Sequence, residues 1–252
     1  MSDDIHPVVA VIQVRMTSSR LPGKVLKPLA GAPLIRRMIE RVLRIDGIDG
    51  VAVALAEGAA NDPVIDALAG MNVAIVRGSE TDVLSRSAAA ARATKAATVM
   101  RITSDCPLLD PAVSAAILAA YKAGRKAGLR YARTSAESGF PHGFDTEVFE
   151  AAALYEAEAK AVDPYEREHV TPYIWRRPQT FPAMIVDAKP DRRHWRITVD
   201  TEDDYRLAAA IYEALYPRNP AFGYSNLCAL FEARPELLSL NTPSPRADVA
   251  AR

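Results

Sequence analysis

Short apolar runs rich in β-branched residues recur along the first half of the chain, at 8–14, 51–56, 73–76 and 97–103. Runs of this length and composition read as strands buried in a parallel sheet. Helix-like stretches lie between them at 34–43, 63–68 and 83–96, and another follows the fourth run at 112–123. Strand and helix in alternation predict right-handed crossovers and a sheet covered by helices on both faces, an α/β fold. Beyond Tyr131 the alternation lapses: 139–149 reads as a loop entering a strand, 165–175 as a helix, 194–199 as a further strand and 202–215 as a helix. The end, 241–252, carries Pro243, Pro245 and small or charged residues and is expected to be a mobile tail. The remainder, 1–240, is expected to form one domain, and no internal repeat is present.

In open α/β sheets, ligands bind beyond the carboxyl ends of the strands, so the segments after Val14, Ala54, Val76 and Thr103 carry the interest. The segment after the first strand is Arg15-Met16-Thr17-Ser18-Ser19-Arg20-Leu21-Pro22-Gly23-Lys24, with cations, hydroxyls and a glycine in one connection. Arg15 and Arg20 can fork onto phosphate oxygens, Lys24 supplies a point charge, and Ser18, Ser19 and backbone N–H groups can complete a triphosphate cradle. A solvated basic turn is the plainer alternative. The glycine spacings of a Walker loop and of a dinucleotide fingerprint are both missing.

Composition narrows the field further. With 252 residues, 49% of them hydrophobic, the chain can build a full core. Its 31 basic residues balance 31 acidic ones, which argues against a nucleic-acid binder held by broad electrostatics and leaves anions to local clusters. Cys106 and Cys228 are far apart and lack the spacing of a zinc or redox site. The first residues carry Asp3, Asp4 and His6 rather than a basic region leading into an apolar stretch, so a cytoplasmic protein without a membrane partner is expected.

The first loop resembles the signature of the acylneuraminate and 3-deoxy-manno-octulosonate cytidylyltransferases, and within that family the branch of the spore coat polysaccharide F type. The likeness extends from Val9 to about Tyr212 through four more segments. Arg77-Gly78-Ser79 with Asp82-Val83-Leu84 and Arg86 resembles a stretch near the nucleotide, where a turn opening a helix can offer N–H groups; a helix cap by Ser79 or Asp82 is the alternative. Asp105, in Arg101-Ile102-Thr103-Ser104-Asp105-Cys106-Pro107-Leu108, resembles the carboxylate that holds magnesium against the triphosphate, or it serves as a turn or N-cap residue. Asp200, in Thr198-Val199-Asp200-Thr201-Glu202, resembles the other metal ligand, while the acidic residues after it suit the first turn of a helix.

Two further segments match the branch and mix cationic with hydrogen-bonding groups. His142 and Glu147 lie in the first, and Arg167, Glu168 and His169 in the second. They are candidates for the acceptor, and surface ion pairs or satisfied structural histidines are the alternative.

The resemblance thus implies a Rossmann-like nucleotide-diphospho-sugar transferase fold and a magnesium-dependent nucleotidyltransferase. It would join CTP to a nonulosonic or octulosonic sugar acid, giving CMP-sugar and pyrophosphate for surface polysaccharide or glycoconjugate synthesis, and would act as a homodimer. Arg15, Lys24 and Asp105 would be its catalytic residues. One departure stands out: Ala54-Leu55-Ala56-Glu57-Gly58 replaces a stretch that bears threonine and serine in the branch, which leaves recognition of cytosine open. Two rivals are a glycosyltransferase, against which the missing Asp-x-Asp speaks, and a non-catalytic homologue that binds sugar or nucleotide.

Overall fold

The computed structural model of the protein describes residues 5–241. Its elements in chain order are β1 (Val8–Val14), β2 (Pro28–Leu29), β3 (Ala32–Pro33), α1 (Leu34–Val42), β4 (Gly50–Ala56), α2 (Asp62–Ala67), β5 (Ala74–Gly78), α3 (Val83–Ala93), β6 (Thr98–Thr103) and α4 (Pro111–Gly124). The second half adds β7 (Tyr131–Arg133), β8 (Glu147–Glu150), α5 (Ala151–Lys160), α6 (Pro164–His169), α7 (Pro172–Trp175), β9 (Ala183–Ile185), α8 (Glu202–Leu215) and α9 (Tyr224–Ala233). One seven-stranded sheet runs in the order β5-β4-β1-β6-β8-β7-β9, parallel except for β8, which opposes both of its neighbours. The expected α/β layout is therefore present, with one reversed strand.

Why this sheet is covered on both faces is visible in β1 itself. Val8, Ala10, Ile12 and Val14 enter a buried layer with α1, α2 and α4, whereas Val9 and Val11 enter a second layer with α3, α5 and α7. The two-residue period of a strand sends an uninterrupted apolar run to both sides at once. A third buried cluster joins Trp195, Ile197 and Val199 to α8, α9 and the loop residues Leu108, Phe140 and Phe144. It backs the loops at the carboxyl edge of the sheet. Among the described residues, no helix is long and apolar enough to cross a membrane.

Three expectations need correction. The strand expected at 194–199 does not form: its apolar residues alternate as a strand's would, yet its backbone meets only single residues of two loops. His142 N–H donates to Trp195 O at 3.0 Å, Ile197 N–H to His142 O at 2.8 Å and Val199 N–H to Asp105 O at 2.7 Å. The helix expected at 165–175 breaks into α6 and α7, because Pro172 has no N–H to continue the ladder and its ring would clash one turn back. Val170 makes the turn with φ +72°. The helix expected to reach residue 96 stops at Ala93, just before Lys95 at φ +54°. All of the expected tail except Asn241 lies outside the described residues.

Gly143 fixes the loop that carries His142. It has φ +120°, and a Cβ there would approach Ile197 Cγ1 to 2.8 Å, with Ile197 C and Thr198 N at 2.9 Å. Gly143→Ala is expected to cost about 2 kcal/mol or more, since strain and overlap with backbone add. Urea unfolding of the two proteins checks this, and an unchanged midpoint would refute it.

Candidate active site

A cavity of about 540 Å³ opens beyond the carboxyl ends of β1 and β6, where the sequence directs attention. Seven basic side chains contribute to its wall against five carboxylates, a surplus that suits a polyanion.

The first loop is shaped by its own backbone. Ser18 and Gly23 N–H both donate to Met16 O, at 3.0 and 2.9 Å, and Met16 N–H is held by Asn61 Oδ1 at 2.9 Å. Gly23, at φ +69°, turns the chain into a short 3-10 helix over Lys24–Leu26 that draws Lys24 inward until it is buried. There the ammonium donates to Val199 O at 2.7 Å and Asp200 Oδ1 at 2.9 Å, with Asp105 Oδ2 at 3.9 Å. Arg20 also reaches Asp200 Oδ1, at 3.1 Å, and Arg15 lies 3.7 Å from Glu168. Three segments far apart in sequence thus meet around Lys24. Burial alone would raise the pKa of Asp105, but the Lys24 charge and the Thr103 hydroxyl hold it below the usual carboxylate range. Asp105 caps no helix; the cap of α4 is Asp110, which accepts from Val113 N–H at 2.9 Å.

Asp200 is supported from behind by Arg196, whose Nη2 donates to Asp200 Oδ2 at 2.8 Å. Sequence reasoning missed Arg196. The sequence hid it, because a cation alternating with the apolar Trp195 and Ile197 reads as the solvent-facing position of a strand. Gln13 and Arg101 were also passed over, although polar residues interrupting apolar runs are a visible signal. They sit in otherwise apolar strands, line the cavity, and are joined by Arg101 Nε to Gln13 Oε1 at 3.1 Å.

On the opposite wall, His169 lies against Tyr165, with ring centroids 4.3 Å apart. Burial lowers the His169 pKa, outweighing the opposing effect of Glu168, so the imidazole is neutral near pH 7. Glu147 lines the cavity but is engaged by the protein: Arg101 and the Tyr131 hydroxyl bind it, and Thr171 Oγ1 donates to it at 2.9 Å. Burial would raise its pKa, yet Arg101 and Tyr131 keep it lowered. His142 is on the cavity wall with Nδ1 3.2 Å from Arg196 Nη1.

The cavity therefore unites Arg15, Ser18, Ser19, Arg20, Lys24, Asp105, His142, Glu147, Glu168, His169 and Asp200. Arg77, Gly78, Ser79, Asp82 and Arg167 are not among its lining residues. Arg77 turns away to Asp62 and to Gly58 O, the latter at 3.2 Å. Asp82 caps α3 through Ser85 N–H at 3.0 Å and pairs with Arg167, so the capping alternative holds there. The cation this region does aim at the cavity is Arg86. It is 1% exposed, held by Ala54 O at 3.1 Å and by Ser79 O, and lies where burial and the charge of Arg15 lower its pKa to about 10. The backbone of the divergent 54–58 stretch is thus gripped by two arginines from the β5–α3 region.

Comparison with known proteins agrees with this geometry. The family description "Cytidylyltransferase" matches residues 9–226. The spore coat polysaccharide biosynthesis protein SpsF of Bacillus subtilis is 28% identical over 240 residues, covering 92% of this chain and 97% of that protein. A 3-deoxy-manno-octulosonate cytidylyltransferase of an Anaeromyxobacter species is 37% identical over 113 residues, 44% of this chain and 46% of that protein. The solved structure of a cytidylyltransferase from Leptospira borgpetersenii superposes with a TM-score of 0.87 at 26% identity, covering 95% of this chain and 99% of the other. With a match that spans nearly the whole chain and a cation-lined cavity at the carboxyl edge of its sheet, this protein belongs to the cytidylyltransferase family.

Proposed function

We propose that this family member uses CTP and magnesium to attach CMP to a sugar acid of the nonulosonic or octulosonic type, releasing pyrophosphate, for surface polysaccharide or glycoconjugate synthesis. The observation that carries the reading is the convergence of Asp105 and Asp200 on one buried ammonium inside a cation-rich cavity. The relatives suggest the acceptor class: one acts in spore coat polysaccharide synthesis, and another is a 3-deoxy-manno-octulosonate cytidylyltransferase. The enzyme is taken to act as a homodimer.

The donor set fits magnesium. Two carboxylates that approach a common cation are hard oxygen ligands, and among the described residues no group of three or more His, Cys, Asp or Glu side chains stands ready to bind a metal. Magnesium characteristically completes such a pair with phosphate oxygens and water. Asp105 and Asp200 would hold it, and when bound it neutralises charge on the phosphoryl oxygens.

The chain's own groups do the rest. Arg15, Arg20 and Lys24 grip the triphosphate and offset the charge that builds as the acceptor oxygen attacks the α-phosphorus in line and the bond to pyrophosphate breaks. Arg86 adds a fixed donor beside Arg15. His169, held neutral, is able to take the proton from an attacking hydroxyl.

Pyrophosphate release should appear with CTP, magnesium and a sugar acid; release with a different nucleoside triphosphate overturns the choice of donor. Asp105→Asn should lower kcat by about 100-fold while thermal unfolding stays close to that of the parent. Lys24→Met should also cripple turnover, but with an opposite effect on the nucleotide-free protein: once the ammonium is gone, Asp105 and Asp200 bind Mn2+ more tightly. Equilibrium dialysis measures this, and weaker or equal binding would contradict the arrangement. Arg77→Ala should leave the KM for nucleotide within about twofold, whereas Arg86→Met should raise it by about 10-fold or more, the loss expected when a charged donor to a ligand is removed. Steady-state titration of the triphosphate separates the two.

A further inference from the structure

Asp200 is held by a relay that begins near the far end of the described chain. Arg196 reaches two carboxylates: Nη2 donates to Asp200 Oδ2 at 2.8 Å and to Asp204 Oδ2 at 3.1 Å, and Nε donates to Asp204 Oδ1 at 3.0 Å. Asp204 is itself tied to the loop, since its Oδ2 accepts the N–H groups of Asp200 and Thr201, each at 3.0 Å. The last partner is Asn241, 7% exposed, which spends both amide hydrogens here. Nδ2 donates to Asp204 Oδ1 at 2.8 Å and to the backbone carbonyl of Arg196 at 3.0 Å.

The consequence is geometric. With Arg196 fixed at its backbone by Asn241 and at its guanidinium by Asp204, Asp200 Oδ2 is committed to Arg196, and Oδ1 is the oxygen turned toward Lys24 and Arg20. A carboxylate free to rotate would present either oxygen; this one cannot without breaking a charge-assisted bond.

We propose that Asn241 is a positioning residue of the active site, acting through Asp204 and Arg196 to aim Asp200 Oδ1 at the bound metal. The inference rests on the reading of Asp200 as a metal ligand, and it adds a dependence on a residue that lines no part of the cavity. Groups that orient metal ligands from behind commonly change metal affinity by 10- to 100-fold.

The test uses the full chain with Mn2+ and CTP, without acceptor, and reads metal affinity by electron paramagnetic resonance alongside the magnesium dependence of turnover. Asn241→Asp keeps the shape, removes both donated hydrogens and sets a carboxylate against Asp204. It should weaken Mn2+ binding by about 10-fold and raise the magnesium requirement, with the KM for CTP moving less than twofold. Asn241→Ser, a milder change, covers the case in which the aspartate variant fails to fold. In an Asp200→Asn background the Asn241 substitution should have no further effect on the metal, the pattern expected when two residues act in one chain of contacts. A folded Asn241→Asp protein with unchanged metal affinity overturns the proposal, as does an effect that persists undiminished without Asp200. If Asp200→Asn alone leaves metal binding unaltered, the ligand assignment itself falls, and that result is separate from the first two.

Discussion

The ammonium of Lys24 is the point on which the site depends. It is buried, and a buried ammonium without compensating charge would be too costly to keep. The compensation comes from Asp200, from the carbonyl of Val199 and, more distantly, from Asp105, so the first loop, the loop after β6 and the segment before α8 are drawn to one place. The charges pull both ways: removal of Asp200 would take away the ammonium's direct counter-charge, and removal of the cation would leave two carboxylates close together. The arrangement is stable in itself and, on the proposed reading, is also suited to ligand exchange, because a triphosphate with its metal would offer Lys24 new anionic partners and the aspartates a new cation.

The first half of the fold was legible because its physics is local. An apolar run of seven such as 8–14 sends side chains to both faces of a sheet, and the helices between such runs complete a repeating pattern. The first loop and Asp105 follow from the same logic, since both stand where parallel strands end. The second half resisted for identifiable reasons. β7 and β9 have three residues each, too few to show a period. In α5, alanines occupy both the buried and the exposed faces, which blurs the contrast that marks an amphipathic helix. The run 194–199 alternates correctly but has no neighbouring strand to pair with, and nothing within that segment reveals it.

The binding residues divide in a similar way. Motif-like clusters of charge were found, and isolated polar residues inside apolar segments were not, although Arg101 and Arg196 prove to organise the cavity. Direction was the other hidden variable. Arg77 and Arg86 are nine positions apart, yet one turns out to Asp62 and the other turns in beneath the strand ends. Successive residues of a strand face opposite sides and helix positions rotate with each turn, so a cation on the right segment still has to fall on the right phase.

The reversal of β8 has a further effect. Because β8 runs against its neighbours, the connection from β7 to β8, residues 134–146, hangs entirely over the carboxyl edge of the sheet, and Thr134, His142 and Asp145 in it form part of the cavity wall. A crossover helix would instead have carried the chain to the opposite edge and back. The overhanging connection is anchored by the buried Phe140 and Phe144 and faces Arg196 and Asp105 through His142. Its cavity-facing side chains at 134, 142 and 145 are therefore the positions that can change while its buried anchors, the sheet and the first loop stay fixed. In a lineage of such proteins, variation of the cavity wall would concentrate on those side chains.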